Sequence, residues 1–204
     1  MMRRASLRSL DLVPLALILL SVLIACASPR DHLYTLESPR DEATGDLPPV
    51  AQLRGTVVIG PVSLPELVDR PELVVREGQY GIVTLEQQRW AAPLKESLPR
   101  VLAGELTRRI PTTRFVAASS AAINVPTARL LIAITRFDVA RSGGAQLDAH
   151  WVYRPTRTDS AALEGDVTAH ENVTGTGYEG YVEALRRAST RLAGGIADGL
   201  RKDM

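Results

Sequence analysis

One cysteine, Cys26, among 204 residues leaves the chain unable to form a disulfide within itself. Its fold must therefore be held by an apolar core rather than by covalent staples. The position of that cysteine constrains the chain further. It ends the run MMRRASLRSLDLVPLALILLSVLIAC, in which Arg3, Arg4 and Arg8 come first and Asp11 is the last charge. Leu12 to Ala25 then gives fourteen uncharged residues. A spanning helix needs about 20 apolar residues, and Pro14 further disfavours one, so the run suits a signal-sequence core.

Leu23-Ile24-Ala25-Cys26 resembles the lipobox of bacterial prolipoproteins. That resemblance implies diacylglycerol transfer to the Cys26 thiol, cleavage after Ala25, and acylation of the new amine. Two or more acyl chains hold a protein stably to a bilayer, whereas one holds it weakly. An ordinary secretory signal, with Ala25-Cys26-Ala27 as its cleavage motif, and an N-terminal membrane anchor are the alternatives. An ordinary signal would leave an unpaired thiol in an oxidising compartment, a problem that lipidation removes. Ala27, where enteric bacteria use Asp as an inner-membrane retention signal, resembles an outer-membrane address. The division expected is 1–25 as lipoprotein signal peptide, 26–53 as lipidated tether with a short strand at 32–36, and 54–204 as one periplasmic domain.

The leader carries three basic residues and one acidic residue, so the mature part keeps 21 basic and 22 acidic ones. This near-neutral balance leaves no electrostatic footprint for nucleic acid. The 179 residues that remain suffice for one domain with a real core.

The mature chain alternates strand and helix signals. Thr56 to Val62 is β-branched and apolar on both faces, as a central strand is. A proline-punctuated loop, Leu64 to Pro71, leads to a hairpin of 72–76 and 80–84 around Gly78. Leu94, Leu98, Val101, Leu102 and Leu106 recur at helical spacing up to about Arg109, with Pro99 either kinking that helix or marking its regular start. Arg114 to Ala118 is a short strand. Arg129–Ala140, Gln146–Arg154 and Ala161–His170 are longer strands, and their short connections make an antiparallel meander. Thr176 and Glu179 have capping-box spacing before a stripe from Val182 to Leu200. There, Gly194-Gly195 either weakens the helix or permits a close contact. The fold class expected is α/β (α+β): a mixed, largely antiparallel sheet with two main flanking helices.

No catalytic or metal constellation emerges. His32, His150 and His170 show no metal-ligand spacing, no serine lies in a G-x-S-x-G elbow, and Gly143-Gly144 lacks the Lys-Ser/Thr of a phosphate loop. Asp138 and Asp148 are the carboxylates that a Ser-His-Asp arrangement would draw on, but such an arrangement depends on space rather than spacing. Glu66, Asp69 and Glu72 read as a solvated loop. The chain is expected to be non-enzymatic and to need no cofactor beyond lipid on Cys26.

Two stretches carry a family resemblance. They are Ile59-Gly60-Pro61-Val62-Ser63-Leu64-Pro65-Glu66-Leu67-Val68-Asp69-Arg70-Pro71, continuing to Arg76, and Arg89-Trp90-Ala91-Ala92-Pro93-Leu94, continuing to Leu106. Together they resemble the PqiC/YmbA family, auxiliary lipoproteins of ABC-type and MCE lipid transport systems. The resemblance implies an outer-membrane, periplasm-facing partner of an MCE-domain protein and its inner-membrane permease or ABC machinery. It also leaves assembly into homo-oligomeric rings open. A lipid- or small-molecule-binding module with its own cavity, and a purely structural envelope lipoprotein, are the rival readings. The candidate partner-binding residues are Pro61, Pro65, Glu66, Asp69, Arg70, Pro71, Arg89 and Trp90. Three prolines would pre-order the loop and lower the entropy lost on binding, while arginine and tryptophan suit interface hot spots. The bland reading of the same residues is a shaped strand-to-strand connection and a tryptophan that caps the core.

Overall fold

The computed structural model describes residues 30–37, 55–118, 126–157 and 160–203. Cys26, its leader and most of the expected tether lie outside the described residues. Residues from Asp31 onward form one unit. Its strands are β1 (His32–Tyr34), β2 (Gly55–Ser63), β3 (Glu72–Glu77), β4 (Gly81–Trp90), β5 (Thr113–Ala117), β6 (Ala128–Ala140), β7 (Gly144–Pro155) and β8 (Leu163–Glu171). Its helices are α1 (Leu94–Arg109) and α2 (Gly177–Asp203).

All eight strands join one sheet, in the order β1-β4-β3-β6-β2-β5, with β7 and β8 continuing from β6. The longest ladders, β6 with β7 and β7 with β8, are antiparallel, as is the β3–β4 hairpin. β2 runs parallel to both β5 and β6, and β1 parallel to β4. This is the expected mixed, largely antiparallel sheet with two helices against it. β2 takes an interior place between β6 and β5, as its two-faced apolar sequence predicts.

Alternation decides which face is covered. Ala145, Leu147, Ala149 and Trp151 of β7 are buried, while Gln146, Asp148 and His150 between them are not. Both helices pack on the buried side: α2 over β6, β7 and β8, and α1 over β2 and β5. Leu98, Leu102 and Leu106 of α1, with Leu185, Leu192 and Ile196 of α2, are fully enclosed there. Burying one such side chain contributes about 1.5–3 kcal/mol. Thr107 ties α1 to β5, its hydroxyl accepting a 3.0 Å bond from Phe115 N–H.

Several local expectations are resolved or revised. α1 continues through Pro99 without a break. The missing donor leaves the carbonyl of Lys95 unserved, but Lys95 is exposed, where water can supply the bond. Thr176 forms no capping bond among the described residues. Gly177, at φ +71°, turns the chain where a capping box would need helical backbone. Strand β4 extends to Trp90, well beyond the expected 84, because it borders β1 there. Within the early segment, His32–Tyr34 form the short strand expected there, and Leu36 is fully buried.

Candidate docking surface

Pro61 shapes the surface before the loop begins. Ile59 pairs with Leu130 and Val62 with Ile132, so β2 carries one extra residue. A proline cannot donate to a sheet ladder, and a bulge is where a strand tolerates it. Beyond the strand, the 64–71 loop is held at three points. Val68 N–H donates to Pro65 O at 3.1 Å and buries the valine side chain. Lys95 Nζ of α1 donates to Asp69 Oδ2 at 2.5 Å. Trp90 N–H donates to Pro71 O at 2.7 Å.

These anchors sort the candidate residues. Pro61, Glu66, Asp69, Arg70 and Pro71 are exposed and Pro65 is half-buried. Glu66 and Arg70 make no hydrogen bond or ion pair with the described residues, so both side chains are available to a partner. Asp69 instead fastens the loop to α1. Arg89 reaches Glu72 at 3.5 Å and Asp31 at 3.9 Å, linking β4 to β3 and to the segment before β1. Trp90 is only 7% exposed, and its ring belongs to the core cluster beneath the loop. Five of the candidates thus lie on one clamped connection, Pro61 sits in the β2 bulge before it, and Trp90 is turned inward.

Four residues outside that set meet behind the loop. A cleft of about 530 Å³ separates Pro65 and Leu67 from Arg76, Arg136, Asp138 and Asp148. Asp138 Oδ2 accepts from Arg76 Nε at 3.0 Å and Arg136 Nε at 2.8 Å. Asp148 takes both its bonds from Gln146 Nε2, at 3.3 and 3.2 Å. Neither aspartate therefore serves a histidine. His150 Nδ1 lies 3.0 Å from Asp166 Oδ1 instead, and His170 Nε2 lies 3.0 Å from Gly143 O. No group of three or more His, Cys, Asp or Glu could hold a metal ion among the described residues.

A second cleft, about 570 Å³, lies between β1 and the start of α2, lined by Tyr34, Thr176, Glu179 and Glu183 among others. Tyr34 O–H donates to Gln88 Oε1 at 2.7 Å. Burial, then the nearby Glu179 and Tyr178, pushes this phenol up, so it remains a donor at neutral pH. The bidentate hydrogen bond from Arg186 holds the Glu183 carboxyl below its usual range; the charges of Arg186 and Arg187 assist, and burial opposes. A carboxyl lowered in the folded state contributes stability above its unfolded pKa, and that contribution disappears as pH falls through the folded value. With the side chain 47% exposed, the effect is modest. The urea midpoint of wild type is expected to exceed that of Glu183→Gln at pH 7, and the gap to close only as pH falls below the ordinary glutamate range.

The model of the ABC-type transport auxiliary lipoprotein component family matches residues 34–197. The chain belongs to this family. The match runs from Tyr34, the last residue of β1, into α2, so it includes the loop and the cleft behind it. Among solved structures, one described as an uncharacterized protein is 16% identical with a TM-score of 0.67, covering 84% of this chain and 99% of its own. Protein XCC0632 from Xanthomonas campestris is 14% identical with a TM-score of 0.58, covering 84% and 98%. At such identities the likeness is one of fold. No curated protein matches the sequence significantly. Among the described residues, no helix is long and apolar enough to cross a membrane.

Proposed function

We propose that this auxiliary lipoprotein is a non-enzymatic, lipid-anchored subunit of an MCE-type intermembrane lipid transport system. It is held through acylated Cys26 to the outer membrane, facing the periplasm. There it docks or organises the MCE-domain assembly whose permease or ABC machinery sits in the inner membrane. Family membership supports the transport setting, and the clamped loop supports a docking role. A loop fixed by Val68, Asp69 and Pro71 presents Glu66 and Arg70 with little left to order on binding.

The rival lipid-holding reading needs an apolar cavity between sheet and helices. The stripes that would line it are packed into the core instead. The larger space between sheet and helix, the 570 Å³ cleft between β1 and α2, brings Glu37, Glu179, Glu183 and Arg186 to its lining, unlike the mostly apolar wall of a lipid pocket.

The test is a C-terminally tagged, acylated protein pulled from detergent-solubilised envelopes, with mass spectrometry of proteins and lipids. An MCE-domain protein is expected to co-purify, and Glu66→Lys with Arg70→Glu to cut its recovery about tenfold, the size of a hot-spot loss. Stoichiometric lipid with no MCE protein, repeated under mild crosslinking, would overturn the proposal.

A further inference from the structure

The cleft behind the loop shares its hydrogen bonds unevenly, although its two arginines and two aspartates balance in charge. Two guanidiniums share one carboxylate oxygen, since Arg76 Nε, Arg76 Nη2 and Arg136 Nε all reach Asp138 Oδ2, within 2.8–3.0 Å. An arginine carries five N–H donors in a planar fork. Arg76 Nη1 and both Nη atoms of Arg136 make no bond to the described residues. Exposure orders the three groups: Asp138 is 14% exposed, Arg76 29% and Arg136 41%. Asp138 is thus the most buried of the three, and Arg136, whose Nη donors are unused within the described residues, is the most exposed.

Asp148 narrows the ligand. It pairs in register with Arg136 across β6 and β7 and lines the same cleft. Its negative charge disfavours a dianion such as phosphate, yet tolerates a single carboxylate bound bidentately by an arginine fork. The opposite wall, from Pro65 and half-buried Leu67, is apolar and rigid, which suits the methylenes of a side chain. The volume admits a side chain with its flanking backbone.

We propose that this cleft is a carboxylate-binding site that takes an acidic side chain of the protein docked on the 64–71 loop. The inference rests on the docking reading for the partner, while the chemistry of the site stands on Arg76, Arg136 and Asp148 alone. The occupant is a glutamate or aspartate on an extended segment, with Arg136 as the principal fork and Arg76 beside it.

Side-chain Nε–Hε spectra of the full ¹⁵N-labelled chain in detergent micelles test this directly. The probe is N-acetyl-glutamate N-methylamide, and its glutamine counterpart is the neutral control. The acidic probe is expected to shift the Arg76 and Arg136 signals saturably, and the control to leave them unmoved. Arg136→Gln should weaken binding about tenfold. Asp148→Asn keeps an acceptor for Gln146 and removes the repelling charge, so it should tighten binding. A cluster that merely holds the fold would show no such gain. Absence of a saturable shift, or no tightening in Asp148→Asn, overturns the proposal. So does stronger saturation by inorganic phosphate or by phosphatidylglycerol doped into the micelles, which would make this a headgroup site. If the envelope pull-down fails while the probe binds, the docking reading falls and the carboxylate site stands; the opposite pattern removes the site alone.

Discussion

Replacing Trp151 with alanine is expected to destabilise the fold by about 3–5 kcal/mol, the largest loss from any single core substitution here. The indole is 2% exposed and lies between sheet and helix. On the sheet side, Gly165 of β8 is its register partner, and a Cβ there would approach Trp151 Cζ2 to 3.0 Å. On the helix side, a Cβ on Gly199 of α2 would come within 2.5 Å of the same atom. Two glycines thus make a slot that only a flat ring fills, and alanine would empty it. For a domain of this size each kcal/mol shifts Tm by about 2–4 °C, so far-UV thermal unfolding should midpoint about ten degrees lower. A Tm within two degrees of wild type would mean that the slot collapses without cost.

The slot makes a prediction that a generic core residue would not. Gly199→Ala should gain up to about 1 kcal/mol of helix propensity. It should lose about 1–3 kcal/mol to overpacking, because a ring held on its other face by Gly165 cannot retreat. In a Trp151→Phe background the offending ring atoms are gone, so Gly199→Ala should become neutral or stabilising. Additivity of the two substitutions would refute the contact, since only neighbours couple.

The same glycines show what the sequence could and could not convey. Alternation in 146–154 and the helical stripe from Val182 to Leu200 exposed the elements and their inward faces, because burial on one side leaves period-two and period-3.6 patterns. Gly194-Gly195 stayed ambiguous, as a weakened helix and a close contact look alike in one dimension. Space resolves it: a Cβ on Gly195 would fall 2.5 Å from Val167 Cγ1, so the glycine is a contact. Pro61, Pro65 and Pro71 were legible, but the loop's fastening through Lys95 was not, since that ion pair joins residues 26 apart. The carboxylate cleft was hidden more deeply. Arg76 and Asp138 are 62 residues apart, and β6 carries a bulge between Ile134 and Arg136. That extra residue reverses the phase of the strand, placing Arg136 and Asp138 on the open face and Phe137 in the core. Reading alternation through the bulge would give the opposite assignment. Trp90 illustrates a different limit, because composition favours tryptophan at interfaces and in cores alike, and only its burial places it in the core.

Cys26→Ser is the substitution with the largest expected effect on the protein in the cell. If the proposed anchoring is correct, the thiol is the sole attachment point for diacylglycerol, and a serine hydroxyl at this position leaves the leader unprocessed. Each buried methylene of an acyl chain contributes about 0.8 kcal/mol, so losing two or more chains removes the whole of a stable anchor. What remains on the unprocessed chain is the Leu12–Ala25 run, too short to span and flanked by Arg3, Arg4 and Arg8. The variant is therefore expected to lose palmitate labelling completely and to migrate as the longer precursor. It should also leave the outer-membrane fraction of a sucrose gradient, while the domain, with its apolar core of residues between 36 and 200, keeps its wild-type Tm once purified. Undiminished labelling and unchanged fractionation would place the anchor elsewhere. Loss of labelling with the outer-membrane position retained would show that protein contacts hold the molecule there without lipid.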